Sequence, residues 1–203
     1  GFNNIDSTWD KKEIEYLIIG DSFAHGECVN SKDNISSKLS EISGKHSLNL
    51  GYGGNGPLIS YATLKEYLQP NVKNIIWLYY DANDLGDLNR ELQSEILVKY
   101  LNNFDFSQNL KVKQNEINII ASSMLEEAKI IEDANKVNKK PNSFKILNFL
   151  KFTEVRKILN NFLPMKYRPN KYRGLNNDKR EKVLKEFEKI VKFSIKSRKN
   201  CQR

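Results

Sequence analysis

Histidine is nearly missing from this chain: His25 and His46 are the only two in 203 residues. That shortage leaves few side chains able to take a proton near neutral pH. Cysteine is as rare. Cys28 and Cys201 allow one bridge at most, in an oxidising compartment, and exclude a disulfide framework or a cysteine metal site. No apolar run approaches the roughly 18 residues of a membrane-spanning helix. Internal repeats are also lacking, so a solenoid is excluded. No metal and no cofactor is expected from the sequence.

What is present fits a folded globular chain. Hydrophobic residues make up 39% and charged residues 29%, and the length suits one domain with an insertion. The net charge of +8 is unevenly spread. Residues 1–150 hold 16 Lys/Arg against 20 Asp/Glu, a balance of −4, whereas residues 151–203 hold 17 against 5, a balance of +12. A solvated, lysine-rich helix face explains that asymmetry, and contact of the basic part with an anionic glycan or membrane surface is the alternative. Tyr167 and Tyr172 in "MKYRPNKYRG" could stack on bases, but no nucleic-acid motif surrounds them and no nucleic-acid partner is expected.

Three short apolar runs, "IEYLIIG" (14–20), "SLNLG" (47–51) and "NIIWLYY" (74–80), read as strands. Helices are expected between and after them. One starts at a cap on Ser31 or Asp33, carries Ile35, Leu39 and Ile42 on one face and ends at Gly44. Another runs from Pro57 towards Pro70, and a third over residues 84–103. The alternation predicts an α/β fold, a three-layer α/β/α sandwich with a parallel sheet and right-handed crossovers. Residues 1–103 form this core. Residues 104–172 are expected to be a helical insertion or cap, with helices near 115–136 and 143–163. Residues 173–203 supply a core helix with Val183, Leu184, Phe187, Ile190 and Val191 on one side.

In such sheets ligands bind beyond the carboxyl ends of the strands. Three loops leave those ends: "GDSFAHGE", "GYGGNGP" and "YDANDLGD". Ser22 sits where the first strand turns into a helix. Its hydroxyl is a poor nucleophile unless a base takes its proton and donors hold the oxyanion. Gly54 can bring a backbone N–H close to a ligand, and Asn83 offers a side-chain amide. Asp21, His25, Asn55, Asp81 and Asp84 complete the expected pocket. A plain helix-capping turn would also explain Gly-Asp-Ser, but not the other two loops.

These blocks resemble the SGNH, or GDSL-type, esterase and acyltransferase superfamily over about residues 14–90. "IIGDS" is similar to its first block, "NLGYGGNG" to its second and "YYDAND" to its third, with Asp81 standing where glycine is usual. The resemblance implies a flavodoxin-like hydrolase fold. It implies Ser22 as nucleophile, with Gly54 and Asn83 as oxyanion donors. It also implies a small-molecule or glycan acyl ester as substrate, and a periplasmic, extracellular or membrane-anchored setting. The family's base lies in a later Asp-x-x-His block, which these residues lack; His25 lies near the serine and is expected to line the pocket. The chain is accordingly expected to be a fragment, short of a strand and the base-bearing loop, with little or no activity by itself. Two alternatives stand beside this: a ligand-binding domain of the same kind without catalysis, and a nucleotide-binding domain using Gly51, Gly53 and Gly56 of "GYGGNG" with Asp81 on the ribose.

Overall fold

The computed structural model describes residues 2–81, 83–137 and 177–201. Residues 1–111 with 174–203 form one compact unit, and residues 112–173 form another. In the first unit, β1 (Ile14–Ile19), β2 (Ser47–Asn49) and β3 (Val72–Trp77) make a three-stranded sheet in the order β2-β1-β3. Both pairings are parallel, with Leu17 beside Leu48 and Ile75. This is an α/β fold, as the alternation of runs predicts.

Central placement explains the composition of β1. Ile14, Leu17, Ile18 and Ile19 are fully buried, because a strand flanked on both edges and covered on both faces meets no water. The sheet core gathers Ile14, Leu17, Ile19, Leu48, Leu50, Leu64 and Val72. Phe2, Trp9 and Tyr67 close its margin with ring centroids 5.1 to 6.1 Å apart. In β3 the apolar residues after Val72 are only half-buried, since β3 is an outer strand among the described residues.

Four helices border the sheet and each other: α1 (Ser22–His25), α2 (Ile35–Ser43), α3 (Pro57–Tyr67) and α4 (Asp84–Glu91). They are followed by α5 (Glu95–Asn102) and α7 (Asn177–Cys201), with α6 (Gln114–Val137) in the second unit. Pro57 takes the first turn of α3, where its missing N–H costs nothing. A second core joins Leu58 and Tyr61 of α3, Leu85 and Leu88 of α4, Tyr100 and Leu101 of α5, and Val183 and Ile190 of α7. Phe187 of α7 stacks on Tyr79 at 4.8 Å and meets Trp77 edge-on, so α7 also reaches the end of β3.

The structure corrects several details. Residues 84–103 form two helices, because a turn at Leu92–Ser94 redirects the chain and lets α5 bury Tyr100 and Leu101. Asn34 caps α2, accepting from Ser37 N at 2.8 Å, in place of Ser31 or Asp33. The face of α2 carrying Ile35 and Ile42 is 45% and 83% exposed, and the helix buries Ser36. Leu184 is also exposed; α7 turns Val183, Ile190 and Ser194 inward. Cys28 is a free, exposed thiol. In α6, Ile119, Ile120, Met124 and Leu125 are exposed. The expected helix at 143–163, Tyr167 and Tyr172 lie outside the described residues.

Candidate active site at the carboxyl edge of the sheet

Because β1, β2 and β3 run parallel, the loops after them leave from one edge. The first is built around a close backbone approach. Gly20 has φ +146°, and a Cβ there would lie 2.7 Å from the Leu78 carbonyl oxygen. Only glycine fits. Asp21 then caps α1, its carboxylate accepting from Phe23 N at 2.9 Å. Ser22 is the first residue of the helix and is half-buried. Among the described residues neither its Oγ nor its N–H has a hydrogen-bond partner, the latter because first-turn N–H groups lack intrahelical acceptors. Gly26, at φ +78°, ends this single turn by donating to Ser22 O at 3.0 Å.

The second loop lies against the first. A Cβ on Gly51 would sit 2.4 Å from Ala24 Cβ, so α1 and the loop touch through backbone. Tyr52 N donates to Gly20 O at 3.2 Å. His25 Nδ1 is 3.1 Å from Gly51 O. A carbonyl only accepts, so Nδ1 carries a hydrogen and the neutral tautomer compatible with this contact has its lone pair on Nε2. The imidazole also meets Tyr52 edge-on at 5.4 Å. Gly54, at φ +83°, is exposed, with open space where a Cβ would stand, and its N–H has no acceptor among the described residues. Asn55 closes the turn by donating from its N–H to Tyr52 O, and its side chain is buried.

The third loop carries Asp81, exposed, and Asn83 at the start of α4. Asn83 does not cap the helix. Its Nδ2 donates to Asp87 Oδ2 at 3.1 Å, leaving one amide hydrogen over, and Asp87 is in turn paired with Arg90. Asp84 accepts from Tyr80 N at 2.8 Å and is 3% exposed. Burial pushes its carboxyl up to about 6, against the pull of the Tyr80 N–H and with help from the Asp21 charge. Asp21 Oδ2 and Asp84 Oδ1 are both buried with no partner among the described residues. Phe23 and Tyr80 pack at 5.3 Å and tie this loop to the first.

Glu91 is the residue that sequence reasoning missed. Its carboxylate reaches from α4 to accept from Gly56 N at 2.7 Å and Leu58 N at 2.9 Å, capping α3 from outside. Burial raises its pKa although these amides oppose the shift. A Cβ on Gly56 would clash with Asp87 and Glu91, so that glycine is demanded by the clasp. The signal available in the sequence is the acidic stripe Asp84, Asp87 and Glu91 on one face of α4, all three buried.

Among the described residues no group of three or more His, Cys, Asp or Glu is placed to hold a metal ion, and no helix is long and apolar enough to cross a membrane. Comparison of the chain with family models, with curated proteins and with solved structures finds no match.

Proposed function

We propose that this chain carries the nucleophile and oxyanion donors of a serine esterase or O-acyltransferase of the SGNH type, on a flavodoxin-like sandwich. The observation that carries this reading is Ser22. Among the described residues its Oγ and N–H are both unpartnered at the first turn of α1, on a rim interlocked with the loops of Gly54 and Asn83. Ser22 Oγ attacks the acyl carbonyl carbon and loses its proton to a base. The oxyanion is held by Ser22 N–H, Gly54 N–H and the spare hydrogen of the Asn83 amide, and the alcohol then leaves. Asp87 holds the Asn83 amide in position. Removing one such donor typically costs about 100- to 1,000-fold in rate.

His25 presents Nε2 from the same short helix, while the family's Asp-x-x-His block has no counterpart in these 203 residues. A short acetyl-type ester, on a carbohydrate or another small alcohol, is the proposed substrate class, from the resemblance alone.

The nucleotide reading of "GYGGNG" is weaker. A pyrophosphate there needs free N–H groups at the start of α3, and Glu91 occupies those of Gly56 and Leu58 with a carboxylate. The test is acyl transfer to Ser22 from p-nitrophenyl acetate, followed by mass spectrometry of the acylated peptide and by product release. Ser22→Ala should abolish both. Acylation elsewhere, or unchanged release in the variant, removes Ser22 from the role.

A further inference from the structure

We propose that the outer edge of β2 carries a second binding site, for a phosphate or sulfate ester of a small polyol. A groove of about 770 Å³ lies there, between the N-terminal segment and α2. That volume falls within the range of small-molecule sites. None of the residues assigned above to ester chemistry lines it.

Charge defines one half of the ligand. Lys11 comes from the N-terminal side and Lys32 from the turn before α2, and His46 adds an imidazole. Among the described residues no carboxylate lines the groove. Asp33, adjacent to Lys32 in the chain, is turned to Lys38 at 3.5 Å and to Asn30. Neither Lys11 nor Lys32 has an ion-pair partner among the described residues. Two unneutralised ammonium groups over a cleft attract an oxyanion.

Hydroxyl groups define the other half. Ser36 and Ser47 line the groove, are 4% and 6% exposed, and form a hydrogen bond of 2.9 Å through their Oγ atoms. Each hydroxyl owns one hydrogen, so a bond between two of them uses one and leaves the other unspent. With Ser36 donating, the Ser47 hydroxyl hydrogen has no acceptor among the described residues. A buried donor left this way costs stability unless something accepts from it. The strand edge adds to this. His46 O and Leu50 N face β1, so Ser47 and Asn49 turn their backbone groups outward. At Asn49 they are met by the side chain of Asn4, at 2.7 and 2.8 Å. At Ser47 no such substitute is present among the described residues. Ser40 extends the hydroxyl wall along α2. A polyol fits this array of alternating donors and acceptors, with its charged ester between the lysines.

The test uses the full chain, titrated separately with glucose 6-phosphate, inorganic phosphate and glucose, and followed by amide chemical shifts. Glucose 6-phosphate should saturate with Kd of about 1 mM or below, and inorganic phosphate should bind at least about tenfold more weakly. The Lys11→Ala, Lys32→Ala double variant should raise Kd by about tenfold or more, and Ser40→Trp, which fills the groove, should abolish binding. Circular dichroism of both variants should match the parent, as none of the three side chains belongs to the buried core. The proposal is overturned if no ligand saturates, if the shifts map away from residues 3–11 and 31–47, or if the double variant binds as the parent does. Inorganic phosphate binding as tightly as the sugar phosphate overturns the polyol half. The ester reading is untouched by any of these outcomes.

Discussion

Two buried carboxyl groups of the same unit are shifted in opposite directions. Glu66, on α3, is pushed up by burial, yet donors from Tyr100 Oη, Leu110 N, Gln108 N and Ser107 Oγ hold it below the usual carboxylate range. Asp84, at the rim, has a single donor in Tyr80 N and the like charge of Asp21 nearby, so burial wins and its carboxyl rises to about 6. Burial sets the same direction in both; the count of donors decides the outcome. The first arrangement pins the chain after α5 onto α3. The second leaves a buried carboxyl whose charge is coupled to that of Asp21, the residue before Ser22 in the chain.

Glu66→Ala should show the largest effect. It strands four donors, and stability should fall by about 3 kcal/mol in urea denaturation. Because the native carboxyl is held low, the stability it gives is present above about pH 4.5 and is lost as pH falls through its native value. The parent's advantage over Glu66→Ala should therefore shrink in acid; an advantage independent of pH would deny the carboxylate its part.

Asp84→Asn should act in the opposite direction and less strongly. A raised native pKa means that stability is full below about 3.8 and is lost as pH rises through about 6. The variant should be more stable than the parent by about 1–3 kcal/mol at pH 8 and nearly equal at pH 3.5. A destabilised variant at pH 8 would show that the carboxylate is held by partners beyond Tyr80. Smallest of the three, Asp21→Asn should lower the Asp84 midpoint below about 6, read by carboxyl carbon NMR, since one like charge is removed. An unmoved midpoint would leave burial and the Glu91 charge as the causes.

The same contrast explains what could be read in advance. β1 was legible because a strand buried on both faces must be apolar throughout, and "IEYLIIG" is closed by a glycine that the Leu78 carbonyl demands. The three rim loops followed from parallel order alone. The break at Leu92–Ser94 was not legible: it contains neither glycine nor proline, and it exists because Tyr100 and Leu101 gain a core by turning. Ile35 and Ile42 misled, since helical spacing shows that apolar residues share a face but not which way the face looks. The clasp made by Glu91 was not legible, because its partners, Gly56 and Leu58, lie 35 and 33 residues away.

That clasp has a consequence for how the molecule opens. The first turn of α3 is completed only while α4 is docked, because the acceptor for its leading amides belongs to α4. Neither segment can fray alone without stranding buried polar groups of the other. The amide hydrogens of Gly56 and Leu58 should therefore exchange with solvent at the pace of α4 undocking, and the second and third rim loops should come apart as one cooperative unit.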